Sequence, residues 1–142
     1  MILDYNSLLL AIGFSAVCLS VTLFGSWLSS RKEGFMLTWA IGTGLIVVNV
    51  FAYHHYVRDP SLPALIFATS FLMAGFATLL GAAHQFRDGR APTARILRAA
   101  AISLAAVLPP IALGYDGAGF IAYNLVSAIL LGLTASVYWK GR

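Results

Sequence analysis

Charge is confined to short intervals of this chain, and that spacing limits its fold more than any other feature. Tyr5 to Ser30 contains no Asp, Glu, Lys or Arg, and neither do Gly34 to Val57, Leu62 to Phe86, Ala99 to Tyr115 and Gly117 to Trp139. About 20 apolar residues rising ~1.5 Å each cross the ~30 Å hydrocarbon core of a bilayer. A soluble globule of 142 residues with 60% apolar and only 10% charged residues would lack the polar surface to cover itself. The expected fold class is therefore all-α integral membrane: a bundle of about five transmembrane helices in a single domain, over residues 5–30, 35–57, 62–86, 94–114 and 119–139.

Orientation follows from the basic residues. Arg31 and Lys32 follow the first run, Arg87, Arg90, Arg95 and Arg98 crowd the stretch between the third and fourth, and Lys140 and Arg142 close the chain, whereas Arg58 stands alone at the other ends. Basic residues in short loops collect on the cytoplasmic side. An N-out/C-in arrangement places eight of the nine inside, and the expected location is a bacterial inner membrane. No basic n-region precedes the first apolar run and no small-x-small site follows it, so no signal peptide is expected. The net charge of +4 falls at span ends without a soluble aromatic face, so the partner it implies is an anionic leaflet and not nucleic acid.

Local breakers refine the spans. Asp59-Pro60 ends the second helix, Pro63 suits the first turn of the third, and Pro109-Pro110 predicts a kink or an unwound last turn in the fourth. Helices in lipid associate through small residues. Ala40 with Gly44, Ala77 with Gly81, and Ala128 with Gly132 and Ser136 have that spacing. They make a homodimer or another membrane protein the expected partner.

Chemistry is sparse. All five acids, Asp4, Glu33, Asp59, Asp88 and Asp116, fall at helix ends or in turns, which argues against a proton-coupled exporter with a carboxylate in mid-membrane. His54 and His55 point about 100° apart on a helix, and His84 belongs to the opposite end of a span. One shared metal or haem among the three is excluded. A copper or haem site built from His54 or His55 with an outer loop stays open as an alternative, but no cofactor is expected. Cys18 is single, so no internal disulfide forms. There is no G-x-S-x-G, H-E-x-x-H, phosphate loop or glycine-rich nucleotide fingerprint, and no catalytic residue is assigned. The candidate sensory residues are Asn49, Tyr53, His54, His55 and Tyr115, with Tyr56 beside them. All but Asn49 are expected at one depth near the outer surface, close to the Pro109-Pro110 break. If the second and fourth helices meet there, a shallow polar pocket results, and acid or a metal ion is the first stimulus to test.

The stretches Leu3-Asp4-Tyr5-Asn6-Ser7-Leu8-Leu9, Ser26-Trp27-Leu28-Ser29, Leu37-Thr38-Trp39-Ala40, Gln85-Phe86-Arg87, Leu113-Gly114-Tyr115-Asp116-Gly117 and Tyr138-Trp139-Lys140-Gly141-Arg142 resemble the membrane-embedded N-terminal sensory region of certain alphaproteobacterial GGDEF proteins, the diguanylate cyclases. The resemblance implies a sensory input module that controls an attached cytosolic cyclase making cyclic di-GMP from two GTP. The cyclase signature, its metal-binding acids and its inhibitory Arg-x-x-Asp site are absent from these 142 residues, so no catalytic residue carries over. A structural membrane subunit of a larger complex is the alternative, and a small-solute transporter is a third.

Overall fold

The structure, a computed structural model, describes residues 4–140. Arg142, assigned above to the inner side, lies outside the described residues. Five α-helices follow one another: α1 (Tyr5–Ser29), α2 (Gly34–Arg58), α3 (Leu62–Asp88), α4 (Thr93–Ala112) and α5 (Asp116–Lys140). All five are long and apolar enough to cross a membrane, which suggests a multi-pass membrane protein.

Each helix end has a local cause. The Asp4 carboxylate accepts from the Asn6 backbone N–H at 3.2 Å, satisfying one of the donors that α1 leaves unpaired at its start, and from the Ser7 hydroxyl, also at 3.2 Å. Asp59 leaves the helical region ahead of Pro60, ending α2. Gly89 closes α3 with φ +67°, a left-handed conformation that glycine adopts without strain, and its N–H bonds the Gln85 carbonyl at 2.8 Å. Helix α4 stays helical through Pro109 and Pro110 as far as Ala112, so the expected unwinding of its last turn does not occur. The Leu113 and Tyr115 N–H groups bond the Pro109 and Pro110 carbonyls at 3.0 and 2.9 Å, so the two prolines still act as acceptors for the turn that follows. That turn leads into α5 at Asp116, three residues before the expected start.

Helix α3 is the hub. It packs against α2, α4 and α5, α4 also packs against α5, and α1 touches α2 alone. Leu72 and Met73 of α3 meet Val107 and Ile111 of α4 and Leu130 of α5 in the main core. Between α2 and α3 the backbones approach at Gly42 and Gly75. A Cβ on Gly75 would lie 3.1 Å from the Gly42 carbonyl oxygen and 2.8 Å from Ile46 Cγ1. Absent side chains permit this contact, as expected where lipid supplies no hydrophobic drive between helices.

The small-residue pairs identified in the sequence divide. Ala40 is buried and its carbonyl accepts from the Ser20 hydroxyl of α1 at 3.0 Å. Gly81 faces Ile96 of α4, and a Cβ there would overlap that side chain. Ala128 and Gly132 are exposed, and nothing lies within 4 Å of a Cβ placed on Gly132.

The bundle has two distinct ends. The basic end holds Arg31, Lys32, Lys140 and the α3–α4 loop, where Asp88 receives Arg87 Nε at 2.7 Å and Arg95 Nη1 at 2.6 Å. The opposite end holds the α2–α3 and α4–α5 turns and the start of α1.

Candidate functional site: a groove at the end opposite the basic loop

Near that opposite end, a groove of about 560 Å³ opens among the helices. Every helix contributes to its wall: Leu9 from α1, Asn49, Val50, Tyr53 and Tyr56 from α2, Leu65 and Thr69 from α3, Ile111 from α4, and Asp116, Gly119, Phe120 and Tyr123 from α5. On α2 the positions recur at i, i+4 and i+7 from Asn49, on α3 at i and i+4, and on α5 at i, i+3 or i+4, and i+7. These are the spacings of a single helical face. The groove is therefore the meeting of three stripes, with α1 and the end of α4 completing it.

One small residue in the wall marks a close helix contact. Gly119 lies against Ile111, 2.8 Å from its Cγ1 to a Cβ placed on the glycine, so α5 approaches α4 closely at this level. Any side chain at Gly119 would push the helices apart and alter the groove wall.

Asn49 is buried at 7% exposure, and its Nδ2 donates to the Ala68 carbonyl of α3 at 2.8 Å. This bond orients the amide and fastens α2 to α3 at the base of the groove. Tyr53 and Tyr56 stand one turn further out with ring centroids 5.8 Å apart. Asp116, in the first turn of α5, supplies a carboxylate at the rim, and no Lys or Arg belongs to the lining. The site thus combines an apolar body with phenolic, amide and carboxylate groups, the usual composition of a small-molecule pocket.

The candidate residues from sequence separate accordingly. Asn49 and Tyr53 line the groove; His54, His55 and Tyr115 do not. His54 and His55 follow Tyr53 on the helix and so point about 100° and 200° away from it. His55 and Tyr115 are exposed, and His54 Nδ1 is buried with no hydrogen-bond partner among the described residues. Helices α2 and α4 are not neighbours, because each packs against α3 and not against the other, and so the pocket expected at a direct contact of α2 with α4 is replaced by this wider groove. Among the described residues no group of three His, Cys, Asp or Glu side chains is placed to hold a metal.

Thr69, Asp116, Phe120 and Tyr123 were missed as site residues. A signal existed for α5, since Asp116, Phe120 and Tyr123 share one face by spacing alone. None existed for Thr69, whose hydroxyl resembles the other isolated ones that bond their own helix, such as Ser70 to the Ile66 carbonyl at 2.7 Å. Asn124, also a polar residue of α5, turns out exposed and donates to the Phe120 carbonyl at 2.8 Å.

The chain matches no protein-family model, no curated protein and no solved structure.

Proposed function

We propose that the chain is a sensory input module of a bacterial inner membrane, N-terminus outside and basic loops inside, which binds a small amphipathic molecule in the groove and passes its occupancy to an attached cytosolic domain. The observation that supports this reading is that all five helices line one groove. An occupant would touch each of them at once, so differential contacts with two packings of the bundle would shift the balance between those packings. The groove's chemistry selects a ligand with an apolar or aromatic body and a neutral or cationic polar end, because Asp116 is the charged group of the lining.

Helix α5 carries the proposed output. It contributes four residues to the groove and ends at Lys140 beside the basic loops. By the resemblance drawn from the sequence, the attached domain would be a diguanylate cyclase, whose activity requires two catalytic domains to meet. The exposed Ala128 and Gly132 face of α5 is then the surface through which two copies would associate.

The test uses a full-length protein with a downstream GGDEF signature. Leu65→Trp places an indole at the groove wall and mimics occupancy. The expected outcome is an altered basal level of cyclic di-GMP with unchanged membrane abundance, while Leu97→Trp, at an exposed position of α4 that lines neither this groove nor the one between α4 and α5, leaves it at the wild-type level. A groove-filled variant indistinguishable from wild type refutes the sensory reading.

A further inference from the structure

A second groove lies toward the basic end, and it is unlike the first. Its volume is about 380 Å³, and it runs between α4 and α5 over α3. Ala99, Ile102, Ser103 and Ala106 of α4 face Val126, Ile129, Leu130 and Leu133 of α5, with Leu80 of α3 as floor. The Ser103 hydroxyl is spent on the Ala99 carbonyl at 2.7 Å, which leaves the length of the groove without a free polar group. At one end only, His84, Arg95 and Arg98 join the lining. From Arg95 to Ala106 the groove extends about 16 Å along α4 at ~1.5 Å per residue.

We infer that this groove holds one anionic phospholipid, its phosphate at Arg98, Arg95 and His84 and an acyl chain lying between α4 and α5. The inference rests on the membrane setting proposed above but not on the sensory reading.

Charge complementarity argues for this occupant. Four arginines crowd the α3–α4 loop, and one carboxylate, Asp88, is shared by two of them, Arg87 and Arg95. Arg98 is exposed and has no hydrogen bond or ion pair among the described residues. Arg95 spends one nitrogen on Asp88 and keeps its remaining N–H groups for another acceptor. Arg87 Nη2 lies 3.3 Å from His84 Nδ1. A guanidinium only donates, so that contact assigns Nδ1 as the acceptor and leaves Nε2–H as a further donor. Three donors therefore stand at the head of a channel that is otherwise apolar: a neutral imidazole N–H of His84, and the guanidinium groups of Arg95 and Arg98, whose charge together with that of Arg87 exceeds the single carboxylate of Asp88. A free phosphate would use only the head, and a zwitterionic lipid would bring its own cation against the arginines. An anionic diacyl lipid matches both parts, as basic pockets between transmembrane helices commonly do.

Position separates this site from general attraction to a charged leaflet. Arg90 sits in the same loop, is exposed, and does not line the groove. Arg90→Gln and Arg98→Gln remove the same charge from the same surface, so diffuse electrostatics weakens binding equally in both. A seated headgroup loses one charge-assisted hydrogen bond in Arg98→Gln alone, a drop of about tenfold or more in affinity.

The experiment reconstitutes the 142-residue chain in nanodiscs of mixed phosphatidylglycerol and phosphatidylcholine, extracts it gently, and counts retained lipids by native mass spectrometry. One phosphatidylglycerol per chain is expected in the wild type and in Arg90→Gln, with about a tenfold lower retention in Arg98→Gln. Ala106→Trp fills the groove while leaving every charge in place, and it too should release the lipid; circular dichroism confirms that each variant stays helical. If Arg98→Gln fails to fold, Ala106→Trp against Arg90→Gln decides alone. Equal retention of both lipids, or equal losses in Arg90→Gln and Arg98→Gln, overturns the site. So does efficient disulfide crosslinking between two chains through cysteines at Ile102 and Ile129, which would show a second copy seated on this face.

Discussion

Trp39 of α2 donates its indole N–H to the hydroxyl of Tyr138 on α5, joining residues 99 positions apart. The two helices have no close backbone approach, so the link is made by side chains alone. Tyr138 also lies 5.7 Å from the Phe86 ring of α3, and Phe86 lies 4.9 Å from Phe35 of α2. This aromatic cluster binds the last turn of α5 to α2 and α3 at the basic end, while the five-helix groove occupies the other. A displacement of α5 at the groove is therefore resisted at the cluster.

Tyr138→Phe removes the bond and keeps the ring. We expect a loss of about 0.5–1.5 kcal/mol in unfolding free energy, the usual net value of one hydrogen bond. Trp39→Phe should cost more, since it also shrinks the packed surface. The double variant should be less destabilised than the sum of the two, and strict additivity in a double-mutant cycle would mean that the bond contributes nothing.

Gly75→Ala tests the α2–α3 crossing. The added methyl meets the Gly42 carbonyl and Ile46, so the helices must separate, at a cost of about 1–3 kcal/mol. Gly132→Ala makes the same chemical change where nothing lies within 4 Å, and should fall within about 0.5 kcal/mol of wild type. Similar thermal stabilities for the two variants would remove the crossing as a determinant of the fold.

Asn49→Leu deletes the bond to the Ala68 carbonyl, and interhelical bonds of this kind in membranes are worth roughly 0.5–2 kcal/mol. The carbonyl retains its own helical partner, so the penalty of an orphaned acceptor does not apply. A loss well above this range, measured by detergent-dependent unfolding, would indicate that the amide organises the groove and not one contact only.

Orientation is tested by placing cysteine at Ser61 or Thr93 after replacing Cys18. Both positions are exposed and lie at opposite ends of the bundle. A membrane-impermeant thiol reagent should label the Ser61 position in intact cells and the Thr93 position only after lysis. Labelling of both from outside contradicts the proposed topology.

How far the candidate site could be read from sequence differs residue by residue. Asn49 stands out as an amide within an apolar run, but so does Asn124, which is exposed and bonds the Phe120 carbonyl of its own helix; the burial of Asn49 against Ala68 is decided by how α2 faces α3. Tyr53, His54, His55 and Tyr56 looked equivalent as a cluster at a span end. They are not, because neighbouring residues on a helix face different directions, and Tyr53 and Tyr56 turn toward the groove while His55 is exposed. Arg98 was legible as one of four basic loop residues, but not as the one beside an apolar channel.

The linear pattern by itself determined the number of long apolar helices and roughly where each stops. That information is local: a charge, a proline or a glycine acts on its own turn. Which faces meet was decided only in the tertiary structure. Helices α1, α2 and α5 carry apolar residues around most of their circumference, so hydropathy assigns no preferred side to any of them. Steric fit assigns it, through close approaches such as Gly42 with Gly75 and Gly81 with Ile96. Those contacts rotate each helix about its axis, and the rotation places Tyr123 beside Asn49 and Tyr53 in one groove while leaving His54, His55 and Tyr115 off its wall.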